Sequence, residues 1–427
     1  MPARRVRRQT NKKSSAEAGR RMKRFCGVIW MAALSIPQAQ AINQEIRALF
    51  QPDSSRPDKM TFVNKTPNSG YCATYPGQCE NNGMFSIELP IRFSSTRYVG
   101  IFDWAAVKAP ANLRRLTVTN SQTQETQSVE IRITGMGSRY VLSHPAVRLA
   151  GGSNALEGHS RLWTTGNWVQ AIPAPCWYSG EGAYEEDSWR FFWKTTQEAH
   201  CFKVPAYHIP SMYFDKLDFA YELRTPNPLT MSTGRYTGSL TYSLGPGGDF
   251  DMGKLFEPDD SSLTLDFVLD VQHTLKVDIP PGGDKVVLEP QGGWQRWLDS
   301  GRKPSRLYRD QIFQISASSK FTMKLECEHS LGVGSGCAIA DGQGFAGGVD
   351  VSVSLPNGLT DSAGQAVTRK RLGIEATAPF QPGFYIDRKP GTLHFEVDEQ
   401  QTHWMIDNAQ GRIYRGNITV IWDSEVG

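Results

Sequence analysis

Apolar and polar residues alternate in short runs along most of this chain, and that period of two predicts strands. The runs are Phe85 to Phe93, Leu116 to Thr119, Val129 to Thr134, Ser239 to Leu244, Leu263 to Leu269, Thr274 to Ile279, Phe321 to Glu326, Val349 to Leu355, Leu393 to Val397 and Asn417 to Trp422. Each is rich in Val, Ile, Thr or aromatic residues and is bounded by Gly, Pro, Asn or Asp, which are turn formers. Helical periodicity is scarce; Trp294 to Leu298 suggests one or two turns. At the start of the exported portion, Ile42, Ile46, Leu49 and Phe50 read as helical rather than alternating, and Pro52 and Pro57 follow. Many short strands with turn signals predict an all-β sandwich architecture.

One pattern occurs twice. Residues 234–242 read Gly-Arg-Tyr-Thr-Gly-Ser-Leu-Thr-Tyr, and residues 411–420 read Gly-Arg-Ile-Tyr-Arg-Gly-Asn-Ile-Thr-Val. In the second copy Tyr414, Ile418, Val420 and Trp422 share one face of a strand. A repeat spaced by nearly half the chain predicts two β domains that each close on the same kind of strand. The Gly245-Pro-Gly-Gly-Asp-Phe-Asp segment breaks the pattern after the first copy, so the boundary is expected there, with domains at 42–250 and 251–427.

The first 41 residues are expected to be a leader. Ten basic residues precede an apolar run from Phe25 to Ile36, and Gln38-Ala39-Gln40-Ala41 supplies a small-residue cleavage site. Met22 opens a signal peptide of ordinary length, so residues 1–21 read as an upstream extension, and Arg20-Arg21 leaves a twin-arginine route open. Without residues 1–41 there remain 36 Lys and Arg against 42 Asp and Glu, a net charge of −6. The basic balance therefore belongs to the leader and gives no ground for a nucleic-acid partner. Six cysteines remain, Cys72, Cys79, Cys176, Cys201, Cys327 and Cys337, and they admit fifteen connectivities. In an oxidising compartment the simplest set joins neighbours in sequence order. Their spacings are not those of structural zinc, and neither a metal nor another cofactor is expected.

Five tryptophans (Trp163, Trp168, Trp177, Trp189, Trp193) fall within 31 residues, interleaved with Tyr178, Tyr184, Glu181 and Asp187. Aromatic faces stack on sugar rings while carboxylates accept hydroxyls, so Trp177, Tyr178, Glu181, Tyr184, Asp187 and Trp189 form a candidate glycan-contact set. The competing reading packs the tryptophans as core around Cys176 and Cys201. No catalytic motif emerges. Gly342-Gln-Gly-Phe-Ala-Gly lacks the flanking strand and helix of a phosphate cradle, and Val333 replaces the first glycine of a nucleophile elbow at Gly334-Ser335-Gly336. The eight histidines show no metal spacing, and the adjacent acids Glu185, Glu186 and Asp187 do not specify a glycosidase pair.

Three features resemble fimbrial proteins of the bacterial chaperone–usher pathway, in particular two-domain tip adhesins. They are the segment from Gly234 to Asp251; Gly292-Gly-Trp-Gln-Arg-Trp-Leu with Gly301-Arg-Lys-Pro and Phe313-Gln-Ile-Ser; and Tyr414-Arg-Gly-Asn-Ile-Thr-Val-Ile-Trp. The resemblance covers the second half; residues 42–230 correspond by position alone. It implies two immunoglobulin-like sandwiches, a receptor-binding domain followed by a pilin domain lacking its final strand. It further implies a groove edged by Tyr414, Ile418, Val420 and Trp422 that accepts a strand from a periplasmic chaperone and later from a neighbouring subunit. An outer-membrane usher and a surface or host-glycan receptor complete the implied partners, and the implied destination is a cell-surface fimbrium. A structural minor subunit without its own receptor and an exported carbohydrate-active enzyme are the alternatives.

Overall fold

The computed structural model describes residues 42–169, 171, 174–332, 336–375, 377–408 and 411–424. Residues 1–41, read above as a leader, and Val333 with the Gly334-Ser335 pair lie outside the described residues. The chain is nearly all β and builds two hydrophobic cores, one within residues 46–271 and one within residues 307–405.

The first core is wrapped by one strongly branched sheet of 13 strands. Its spine is the 17-residue strand Thr126–Leu142, buried on alternate positions as Val129, Ile131 and Ile133. Along its length it pairs with Arg114–Asn120, Leu217–Arg224, Ser188–Thr195 and Met212–Phe214. One strand pairing with so many partners forces the sheet to curl round its own side chains. Trp163, Trp168 and Trp193 lie inside, Trp168 and Trp193 stacked at 5.0 Å, so the core reading holds for these three.

The chain start departs from the helical spacing read in the sequence. Ile42–Phe50 is a strand with Ile46, Ala48 and Phe50 buried, and it runs parallel to Ser262–Val271 over nine register pairs. Its pattern is hard to read because Leu49, on the opposite face, is also apolar and half-covered by Val63. The partner, 221 residues away, settles the choice.

That pairing also moves the domain boundary. The strand Ser262–Val271 runs antiparallel to Gly234–Ser243 along ten register pairs, and Leu263, Leu265, Phe267 and Leu269 fill the first core. The glycine-rich segment after Ser243 is therefore a turn within this domain. Asp249 anchors it by accepting from the Ser243 N–H at 2.8 Å, and Phe250 and Met252 are buried in the same core. The chain passes from the first core to the second at Gln272–Thr274, not at residue 250.

The second core lies between an eight-stranded and a four-stranded sheet. The central strands of the larger sheet are Leu307–Ala317, Ile386–Val397 and Ala346–Ser354. The smaller runs Leu359–Asp361, Ala378–Pro382, Phe321–Cys327, Ile418–Ser424. Gly342 to Phe345 is a turn between Cys337–Ala340 and Ala346–Ser354, held by Asp341 accepting from the Gln343 and Phe345 N–H groups, as expected for a match without a phosphate-binding context. All three disulfides join neighbours in sequence order: Cys72–Cys79, Cys176–Cys201 and Cys327–Cys337.

Candidate functional site

The two copies of the repeated pattern end differently. In the first domain Gly234–Ser243 has a strand on each side, Ser262–Val271 along its full length and Arg114–Asn120 for two residues. In the second domain Ile418–Ser424 pairs with Phe321–Cys327 from Ile418 opposite Cys327 to Ser424 opposite Phe321, and among the described residues no strand pairs with its other edge. Among the described residues no strand takes the place beside Ile418–Ser424 that Ser262–Val271 takes beside Gly234–Ser243.

A groove of about 540 Å³ takes its place. One wall is Ile418, Val420 and Trp422; the other is Val277, Ile279, Val286 and Leu288; Phe313, Leu393 and Phe395 form the floor. Except for the exposed Ile279, these wall residues pack on the second core yet are only partly buried, whereas Leu263, Leu265 and Phe267 in the first domain are fully enclosed. Lys285 to Leu288 forms no strand, with Val286 and Leu288 turned to the groove and Val287 64% exposed between them. An apolar trough beside an unpaired strand edge is a template for an added strand, whose backbone pairs with the edge and whose alternate side chains fill the trough. Tyr414 packs on the core outside this lining, because the chain there crosses to the larger sheet and exchanges 2.8 Å hydrogen bonds between Arg415 and Ala340.

The aromatic set of the first domain divides. Trp177, Tyr178 and Tyr184 are 63%, 56% and 46% exposed on Cys176–Tyr184, a strand paired on one side with Ser188–Thr195. Trp189 is buried, stacked on Tyr184 at 5.1 Å and edge-on to His159, so it supports the exposed ring from behind. Glu181 is also inside, because a bulge at Ser179 to Glu181, with Gly180 at φ 93°, turns it inward. There Glu181 Oε1 accepts from Arg190 Nε at 2.7 Å, and burial raises its carboxyl pKa. Glu181 and Trp189 are thus structural, a correction to the contact set read from the sequence. Asp187 is half-buried, its carbonyl accepting from the Leu142 N–H at 2.7 Å.

Arg190 sits among three carboxylates. It reaches Asp218 Oδ2 at 3.5 Å and Glu88 Oε2 at 3.6 Å, and Lys216 donates to Glu88 at 2.8 Å. Burial is the largest influence on Asp218 and pushes its pKa up to about 8, against the pull of Arg190. One cation shared so thinly leaves Asp218 Oδ1 and Glu181 Oε2 without partners. Among the described residues no group of three His, Cys, Asp or Glu is placed to hold a metal.

The sequence reading missed a second exposed aromatic group. Phe102 is 94% exposed, with Tyr98 and Tyr207 about half so. Their loop is pinned by a paired Arg97–Asp103 contact at 2.7 and 2.8 Å and by Val99 and Ile209 exchanging backbone hydrogen bonds. Trp104 joins this group to Phe202, ring centroids 6.3 Å apart, and Phe202 adjoins the Cys176–Cys201 bridge beside Trp177. The available sequence signal was Tyr98, Ile101, Phe102 and Trp104 falling outside any alternating run.

No family model and no curated protein sequence matches this chain. Among solved structures it is similar to the tip adhesin of CFA/I fimbriae in complex with its chaperone, at 10% identity and TM-score 0.26 over 90% of this chain and 96% of that one. The adhesive subunit CfaE of the CFA/I fimbria of enterotoxigenic Escherichia coli matches at 9% and 0.24, over 90% and 95%. The tip subunit in the CsuC–CsuE pre-assembly complex of archaic Csu pili from Acinetobacter baumannii matches at 8% and 0.21, over 90% and 98%. At such scores the likeness assigns no residue a role.

Proposed function

We propose that the chain is an exported fimbrial subunit of the chaperone–usher type, the tip adhesin of its fibre, which attaches the cell to a surface or host glycan through the first domain. The groove beside Ile418–Ser424 carries this reading. The first domain holds in its own chain the strand that the second lacks, so the second domain is completed from outside. A periplasmic chaperone would lend that strand, a neighbouring subunit would replace it, and an usher would pass the fibre to the cell surface. The leader read in residues 1–41 supplies the export step.

Ile42–Phe50 supports the tip position. It is consumed in its own domain, paired with both Ser262–Val271 and Val63–Asn64, and is not a free arm offered to a neighbour. A subunit that accepts a strand and donates none from this end terminates a fibre. Trp177, Tyr178 and Tyr184, exposed and backed by buried Trp189, are the contact residues we assign to the receptor-binding domain.

The test is periplasmic yield of residues 42–427 expressed alone, with a pilus chaperone, and with a donor peptide fused after Gly427. Rescue by chaperone or peptide supports the assembly reading; a stable monodisperse product without either removes it. Binding of the isolated first domain to glycans or cells separates an adhesin from a structural subunit, and turnover of labelled polysaccharide would instead reveal a carbohydrate-active enzyme.

A further inference from the structure

On the outer face of the larger sheet, away from the groove, three side chains from adjacent strands form a line. Ser354 Oγ lies 2.8 Å from His394 Nε2, and His394 Nδ1 lies 2.6 Å from Asp310 Oδ1. The strands set this spacing: Asp310 stands directly opposite His394, and Ser354 lies diagonal to it, two residues beyond Ser352, the direct partner of His394. Phe313, Leu393, Phe395 and Val353 point into the core, so alternation sends all three polar residues outward.

The hydrogen bonds fix their roles. Asp310 accepts from Nδ1–H, which leaves Nε2 as the acceptor for the Ser354 hydroxyl, the tautomer a general base requires. The backbone N–H of Arg369 donates to Ser354 Oγ at 3.0 Å and so stabilises negative charge developing there. Arg369 holds that position at φ 46°, a backbone region that non-glycine residues rarely adopt and that clusters at functional sites. His394 is 8% exposed, which shields the pair from water, while Ser354 remains half-open.

We propose that Ser354 is an activated nucleophile, an acylation site for small activated esters, with His394 as its general base and Asp310 as a positioning residue. Ser354 Oγ adds to the ester carbonyl carbon as its proton passes to His394 Nε2. The carbonyl–oxygen bond to the leaving alcohol then breaks, the alcohol takes the proton from His394, and the acyl group stays on Ser354. No oxidant, metal or second substrate enters this balance. The open sheet face suits a small acyl donor. No linear motif marks the set, since Ser354 and Asp310 lie 40 and 84 residues from His394.

The test treats the full chain with diisopropyl fluorophosphate and, separately, p-nitrophenyl acetate, and follows the adducts by intact mass and peptide mapping. A single adduct on Ser354 is expected. Its rate of formation should fall about a hundredfold in His394→Gln, the usual scale for loss of a general base. Asp310→Asn should slow labelling, and Asp310→Glu, which keeps a carboxylate for Nδ1–H to donate to, should recover it. Ser354→Ala should lose the adduct with an unchanged melting temperature. No adduct on Ser354, or labelling of His394→Gln at the wild-type rate, would overturn the proposal. Both readouts are independent of strand addition, since the site and the groove lie on opposite faces of the sheet.

Discussion

The indole of Trp422 meets the ring of Phe313 edge-on, with centroids 4.9 Å apart and planes at 65°, although the two residues belong to opposite sheets of the second sandwich. This contact ties the unpaired strand edge to the groove floor. An apolar side chain fully buried in such a trough contributes about 1.5–3 kcal/mol, so three or four from an added strand would bring about 4.5–12 kcal/mol before ordering costs. A donor peptide should therefore raise the melting temperature of the wild-type chain. Val420→Asp, which places a carboxylate in the groove, should abolish the increase, and a calorimetric scan with and without peptide checks this. An undiminished increase in the variant would mean that the peptide binds elsewhere.

Truncation tests the boundary. Residues 42–274 should fold alone, because Ser262–Val271 supplies the strand between Gly234–Ser243 and Ile42–Phe50. Residues 42–250 should not, since the cut leaves two unpaired edges and removes Leu263, Leu265, Phe267 and Leu269 from the core. Soluble yield and near-ultraviolet circular dichroism of the two fragments give the comparison.

Trp177 and Trp189 should behave oppositely despite being twelve residues apart in one aromatic cluster. Trp189→Ala empties a buried site and should cost about 3–5 kcal/mol, whereas Trp177→Ala at an exposed edge should stay within about 0.5 kcal/mol. Denaturant unfolding of the first domain measures both. If the proposed receptor contact is right, Trp177→Ala loses binding while keeping its stability.

Asp218 makes stability fall with rising pH. Its folded pKa, about 8, lies above that of an unfolded aspartate near 4, so between these values the native state holds a proton that the unfolded chain has released. The native state gains from this below about pH 4 and loses the advantage as pH rises towards 8, by up to about 1.4 kcal/mol per pH unit. Asp218→Asn should flatten that slope and be the more stable form at pH 8. Unfolding midpoints of both proteins from pH 5 to 8 decide it; parallel curves would mean that Arg190 keeps Asp218 ionised.

Each of the ten runs predicted from alternation contains a strand, with Phe85 to Phe93 broken into Phe85–Leu89 and Phe93–Ser95, and most of them turn alternate residues to a core. Ser188–Thr195 was missed for the opposite reason, since six of its eight residues are buried and its pattern does not alternate. Ile42–Phe50 was obscured by an apolar residue on its outer face, and its distant parallel partner is invisible to any local window. The candidate contact set falls on one hairpin, Cys176–Tyr184 with Ser188–Thr195. The bulge at Gly180 then decided which members face outward, a backbone event that the residue types around it do not announce.

The link between the two cores has a mechanical consequence. Only Gln272–Thr274 separates the end of Ser262–Val271 from the first strand of the second sandwich, so tension on the second domain is applied straight along Ser262–Val271. That strand is held on one side by ten antiparallel pairs and on the other by nine parallel ones. Its hydrogen bonds run across the direction of pull, so a tug loads both ladders in shear, all at once, instead of unzipping them bond by bond. The first domain is thus clamped at the point where tension on the second domain enters it.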